Sequence, residues 1–362
     1  MYYCLASIYS GSGQKCAYAF SRTASVTTSS LLRRRSALSR LHSTTSEGTS
    51  DVDVDYSNEN NRNDQVFSAM SSCGGIKVTV ATTRNLVNEF MMMHTMNPVP
   101  ADALGRAVTC TLLMSNGMQA EQTLQVTIQG DGALRGVCAI SDGSGGVRGY
   151  VGNNQLNNIP LQEAVGKGSV QVVKMHPDWP NPYNGITAIR NGNIDLDIGS
   201  YLAESEQRSC ALAAATNING ILCTAAGGYL VEQLPDCDED VMKTVEANLE
   251  KVVAKDGGQS VPTNLLLGGA SPFEIADQVL EGLDMKPLGS ITPGMICKCS
   301  EERLIRSIRL LPETDVEEIL SEHGKIEAKC EFCSKVYSIG PDRMRKIIQD
   351  AKIDAAVYKE DI

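Results

Sequence analysis

The feature that most constrains this chain lies near its C-terminal end: Cys297-Lys298-Cys299, then thirty intervening residues, then Cys330-Glu331-Phe332-Cys333. Two close cysteine pairs, joined by a segment long enough to fold back, can set four sulfurs about one Zn²⁺. Each pair is also a potential disulfide. The two uses exclude each other, because a thiolate bound to zinc is not in a disulfide and a disulfide is a poor zinc ligand. Oxidant and metal therefore compete for Cys297, Cys299, Cys330 and Cys333, which is the basis of a switch. A purely structural zinc site is the plainer reading of the same spacing.

The residues between the pairs predict two helices. Ser300 caps the first, through Leu304, Ile305, Ile308 and Leu311, while Thr314 and Glu317 form a capping box for the second, which Gly324 ends. Ile326 to Cys330 and Lys335 to Ile339 then read as a hairpin. His323 is a conceivable further donor, but four thiolates complete a tetrahedron and a histidine at a helix end suits the dipole.

The whole 362-residue chain, 42% hydrophobic and 21% charged, has the composition of a globular protein of two or three domains. A net charge of −11 argues against a nucleic-acid or anionic-membrane surface. No apolar run approaches the roughly eighteen residues of a membrane span. Residues 1–46 hold six basic residues and no acidic one, with many Ser and Thr, and read as a transit peptide, mitochondrial by preference and plastid as the alternative. If it is not an address, the chain stays in the cytoplasm. Residues 47–72 turn acidic and polar and read as a disordered linker.

Residues 73–235 predict an α+β domain. Ile76, Val78 and Val80 alternate as a strand, Leu86 to Met91 and Leu104 to Leu112 recur at helical spacing, and Leu124 to Ile128 with Leu134 to Ile140 form a hairpin. Further strands are expected at Val170 to Met175, Gly185 to Arg190, Cys210 to Ile218 and Gly220 to Ala226. Ser200 is placed as the cap of a short helix. Gly227-Gly228 implies a close backbone approach, followed by an amphipathic element from Tyr229 to Leu234. Gly130 to Gly132 and Gly143 to Gly149 lack the spacing and lysine of a phosphate loop.

Residues 236–293 carry eleven acidic residues against four basic, yet Val241, Val245, Leu249 and Val252 share one helical face. Ser271, Pro272 and Glu274 supply a cap, a first-turn proline and a capping-box acid for a second helix bearing Phe273, Ala276, Val279, Leu280 and Leu283. Charge and glycines make this a metastable helical linker. Residues 294–345 form the zinc segment and 346–362 a tail.

These stretches together resemble the redox-regulated heat-shock chaperone family, the thirty-three-kilodalton heat-shock protein (Hsp33) type. CSEERLIRSIRLLPETDVEEILSEHGKIEAKC is similar to its C-terminal redox switch, and LQVTIQGDGALRGVCAISDGSGGVRGYVGN, SYLAESEQ and AAGGYLVEQLP to its N-terminal chaperone domain. The resemblance covers residues 76–345 and implies an organelle-targeted eukaryotic member. It implies one zinc on Cys297, Cys299, Cys330 and Cys333 in a reduced, inactive state. Oxidation to Cys297–Cys299 and Cys330–Cys333 disulfides then releases zinc, unfolds the linker, and yields an ATP-independent holdase for unfolded clients that associates as a homodimer. By this reading the chain is no enzyme and has no nucleic-acid or membrane partner. Cys110, Cys138, Cys210, Cys223 and Cys237 are expected to be buried bystanders. A thiol-disulfide oxidoreductase using Cys330 and Cys333, and a zinc-ribbon nucleic-acid module, are the competing classes.

Overall fold

The computed structural model describes residues 63–255 and 263–349. In chain order the elements are β1 Gln65–Ser71, β2 Ile76–Thr82, α1 Arg84–His94, α2 Pro98–Ser115, β3 Thr123–Gly130, β4 Val137–Asp142, β5 Gly146–Val151, α3 Leu161–Val165, β6 Gly168–Met175, β7 Tyr183–Ala188, α4 Ile194–Glu204, β8 Cys210–Asn219 and β9 Leu222–Gln233. There follow α5 Glu239–Lys255, α6 Thr263–Leu267, α7 Pro272–Val279, β10 Met285–Ile291, β11 Gly294–Met295, α8 Glu301–Ile308, α9 Glu313–His323, β12 Ile326–Lys329 and β13 Val336–Ile339. A last helical stretch spans 341–349.

Two sheets enclose α2. One runs in the order β10-β1-β2-β9-β8, the other β11-β5-β4-β3-β6-β7, and a small hairpin pairs β12 with β13. Helix α2 is predominantly apolar and buried along most of its length, as suits a helix between two sheets. Its Gly105 lies so close to β8 that a Cβ there would meet the Thr216 methyl at 2.5 Å. The Arg106–Asp195 ion pair at 3.0 Å ties α2 to α4 beneath β8, with Asp102 of α2 itself holding the guanidinium at 2.7 Å.

The five-stranded sheet is covered on both faces, which explains why its strands read as nearly continuous apolar runs. Leu230, Ala226, Ala81 and Val66 point toward α2. Tyr229, Val231, Val78, Val80, Phe67 and Ala69 point the other way, against Met242, Val245, Leu249 and Val252 of α5 and Ile275, Ala276 and Val279 of α7. The linker helices are thus the lid of this sheet. Phe273 meets Phe67 with ring centroids 5.5 Å apart, and buried Asn248 donates to the carbonyls of Val279 at 3.2 Å and Glu281 at 2.8 Å, locking α5 to the end of α7.

Local signals explain several element ends. At α7 the Ser271 and Glu274 capping box forms as expected, Ser300 accepts from the Arg303 N–H at 3.3 Å, and Gly324 ends α9 in a left-handed conformation. The glycine pair in β9 is also as expected: a Cβ at Gly227 would meet the Ala81 carbonyl and one at Gly228 the Ala213 carbonyl, at 2.4 and 2.3 Å.

Other expectations are corrected. The stretch 47–72, read as a disordered linker, ends in β1, whose Val66 and Phe67 are wholly buried. Burial on both faces removed the alternation that would have marked it. Asp64, within the same acidic stretch, accepts from the Asn85 and Leu86 N–H groups at 3.1 and 2.6 Å and so caps α1 from twenty residues upstream. Ser200 is interior to α4, bonding the Leu196 carbonyl at 2.9 Å, and the helix begins at Ile194. Tyr229 to Leu234 is no separate element but largely the continuation of β9. Thr314 makes no cap for α9, whose N-cap is Pro312. The supposed helical linker also contains β10, an edge strand paired with β1, where Pro287 is tolerated because one side of an edge needs no donor. Residues 346–349, assigned to the tail, continue the last helix, and Ile347 and Ile348 pack against the C-terminal core. The proposed transit segment 1–46, most of the acidic stretch and residues 350–362 lie outside the described residues.

Candidate metal centre

Strand β11 brings the chain to the site. After pairing with β1 through β10, the chain crosses to the second sheet, where Gly294 and Ile296 donate to the carbonyls of Gly145 and Val147 at 3.1 and 2.9 Å along β5. Cys297 and Cys299 follow directly. The second pair sits at the mouth of the β12–β13 hairpin, closed by Cys330 N–H to the Lys335 carbonyl at 2.9 Å and Ser334 N–H to the Cys330 carbonyl at 2.8 Å. Helices α8 and α9 span the gap and fold back on the hairpin, with Ile308, Val316, Leu320, Ile326, Ile339 and Met344 as a small separate core.

The structure brings all four sequence-identified thiols together, with every sulfur within 4.8 Å of the others. The shortest approaches run between the pairs, Cys297 to Cys330 at 3.7 Å and Cys299 to Cys333 at 3.4 Å. Ligands about 2.3 Å from a tetrahedral Zn²⁺ would lie about 3.8 Å from one another, so this donor set fits a zinc-sized, thiophilic cation. Burial pushes the Cys297 thiol up and that of Cys333 up to about 12. Cys299 moves the other way, to about 7, chiefly because the Tyr337 hydroxyl lies 3.1 Å from its sulfur. A cleft of about 280 Å³ opens on the cluster, lined in part by Arg148, Leu304 and Phe332. His323 is exposed beside Glu322 and does not belong to the cluster.

Residues that sequence reasoning missed seat the module on the second sheet. Phe332, between the cysteines of the second pair, places its ring 5.1 Å from Tyr150 edge-on and 5.2 Å beneath the Arg148 guanidinium, both on β5. The Ser334 hydroxyl lies 3.2 Å from Nδ1 of His94 at the end of α1, and burial holds that imidazole below its usual range. No spacing rule marks Arg148, Tyr150 or His94; only Tyr337, four residues past Cys333 in a predicted strand, carried a positional hint.

The burial expected of the additional cysteines holds for four of them. Cys110, Cys138, Cys210 and Cys223 are buried. Burial pushes the Cys223 thiol up to about 12 and that of Cys110 well up. Cys237 departs from it, being only half-buried, and the exposed Cys73 was overlooked.

The fold and site thus define a two-sheet α+β protein whose outer sheet face is lidded by a helical linker that leads on to a four-thiol module able to hold a metal ion. The sequence profile of the Hsp33 protein matches residues 64–340. The 33 kDa chaperonin of Clostridioides difficile (strain 630) is 34% identical over 295 residues, covering 79% of this chain and 99% of that relative. That of Desulforamulus reducens is 31% identical over 296 residues, with 79% and 97% covered. The crystal structure of the Thermotoga maritima 33 kDa chaperonin superposes with a TM-score of 0.72 at 20% identity, covering 81% of this chain and 99% of the other, a likeness of fold. The chain belongs to the Hsp33 family of chaperones. Among the described residues no helix is long and apolar enough to cross a membrane.

Proposed function

We propose that this chain is a redox-regulated, ATP-independent holdase that is inactive while reduced and zinc-loaded. One observation carries the reading: the apolar outer face of the five-stranded sheet is covered by α5 and α7, and the chain that forms this lid runs straight into the four-thiol cluster. Zinc, when bound to Cys297, Cys299, Cys330 and Cys333, supplies the cross-link that a core this small lacks. A segment of about fifty residues seldom holds itself by more than ~3 to 5 kcal/mol, against ~10 to 16 kcal/mol for a structural zinc. Peroxide takes two electrons from each pair, Cys297 with Cys299 and Cys330 with Cys333, and the resulting disulfides no longer offer anionic donors. The module then loosens from Tyr150 and His94, the lid loses its anchor, and the sheet face becomes available to unfolded clients. A homodimer of the active form is part of the same reading.

Composition supports residues 1–46 as an organelle address, mitochondrial before plastid, in a eukaryotic member of a family whose relatives above are bacterial. The deciding experiment measures zinc content and suppression of client aggregation, before and after peroxide at raised temperature. Zinc loss together with gained suppression is expected; full activity in the zinc-loaded, reduced protein rejects the reading.

A further inference from the structure

Away from the metal centre, two cysteines from distant parts of the sequence meet at one glycine. Cys73 lies in the β1–β2 turn, its sulfur 3.2 Å from the Ser71 hydroxyl. Cys237 lies between the end of β9 and the start of α5, where Leu234 N–H bonds the Gly75 carbonyl at 2.9 Å and holds the two segments together. The Cys237 sulfur occupies the side of Gly75 on which any other residue carries its side chain, 2.8 Å from where a Cβ would stand. The Gly75 backbone also lies within hydrogen-bonding reach of the Cys73 sulfur. The missing Cβ is what leaves room for the Cys237 sulfur. Gly74, at φ +78°, gives the turn the freedom to close the remaining gap.

We propose that Cys73 and Cys237 form a second, separate redox pair, which on oxidation by a hydroperoxide staples the β1–β2 turn to the base of the lid helix α5. The reactive partner is Cys73, which is exposed. The Ser71 hydroxyl, and after it the Gly75 backbone, hold its thiol below the usual range, whereas burial raises that of Cys237. The Cys73 thiol gives up its proton, and its thiolate attacks one oxygen of hydrogen peroxide. The O–O bond breaks, and a sulfenic acid forms as hydroxide leaves and takes up that proton as water; the proton of the Cys237 thiol serves the second step in the same way. The Cys237 thiolate then attacks that sulfur, the S–O bond breaks, and a second water departs. Two thiols and one peroxide give one disulfide and two waters, a two-electron exchange.

The chemistry stands whether or not the chain is a holdase; its consequence is local. With Cys237 tethered, the first turn of α5 stays on the sheet even when the distal lid lifts.

The test uses full-length, reduced, zinc-loaded protein. After peroxide and alkylation, non-reducing digestion and mass spectrometry should find a Cys73–Cys237 peptide, about two mass units lighter than its reduced halves. It should vanish in Cys73→Ser and in Cys237→Ser. It should fall in Gly75→Ala, where the added Cβ displaces the Cys237 sulfur. Tryptic cleavage at the exposed Lys243, near the start of α5, should be several-fold slower in the oxidised wild type than in oxidised Cys73→Ser. Recovery of both residues alkylated, or of Cys73 only as a sulfinic acid or an intermolecular disulfide, overturns the pair. Equal cleavage rates with the cross-link present overturn the staple.

Discussion

Phe332 rests edge-on against Tyr150, and that contact joins the four-thiol module to β5 in the body of the protein. The phenylalanine lies between Cys330 and Cys333, so the pose of its ring depends on the fold of the thiol turn. Loss of the turn removes the ring from beneath Arg148 as well. The cluster is therefore mechanically coupled to β5.

Phe332→Ala should loosen the module without removing a ligand. An aromatic pair is worth about 0.5 to 1.5 kcal/mol beyond the area it buries. The expected outcome is zinc retained at full stoichiometry, with faster proteolysis of 297–345 and zinc loss at lower peroxide. Zinc assay and limited trypsin digestion check it. Unchanged proteolysis means the contact does not hold the module.

Removing a ligand should act differently. Cys330→Ser replaces a thiolate with a neutral hydroxyl, a far weaker donor, and metal retention should fall steeply. Chelation of the wild type should likewise melt the small core of Ile308, Val316, Leu320 and Ile339 while leaving α2 protected, as read by amide exchange. Full zinc occupancy in Cys330→Ser rejects the ligand set.

How much was legible beforehand depends on whether a signal is local. The four-thiol cluster was visible because its constraint is written in short spacings, and the Ser271 capping box because both its partners lie within four residues. The cap on α1 was not, since its carboxylate, Asp64, reaches it from another segment. Strand β1 was hidden by burial on both faces, and β10 because edge pairing leaves its exposed Leu288 and Pro287 without a pattern. Arg148, Tyr150 and His94 became site residues only through the docking of distant elements. Cys237 looked like a core thiol for the same reason, as nothing in sequence places it beside Gly75.

Processing is constrained by the same strand. Removal of an N-terminal address should leave a first residue between 40 and 63, because Asp64 caps α1 and Val66 and Phe67 fill both cores. Terminal sequencing of protein from the organism decides it. A mature form starting after residue 71 would lack β1, and an intact Met1 removes the address.

Asn248→Ala should weaken the lid from within. Its amide serves two carbonyls at the end of α7, and leaving such groups unsatisfied costs about 1 to 3 kcal/mol. The variant should expose the sheet face at lower temperature, read by a hydrophobic dye in the zinc-loaded state. By contrast Lys243→Ala, breaking exposed ion pairs with Glu239 and Asp240, should change little.

The lid, rather than the cysteines, should set how easily the protein switches on. Leu249 is fully buried against the sheet, whereas Leu283, expected from sequence to share that role, is only half-buried beyond the end of α7. Truncating a fully buried leucine costs about 2 to 5 kcal/mol. The docked state loses this and the undocked state does not, so Leu249→Ala should shift the equilibrium toward the open form by up to a few powers of ten. Leu283→Ala should shift it less. Leu249→Ala should therefore suppress aggregation of a heated client while still reduced and zinc-loaded, with light scattering and zinc assayed in one tube. If it stays inactive until zinc is lost, the helices are a tether and the switch lies in the metal site alone.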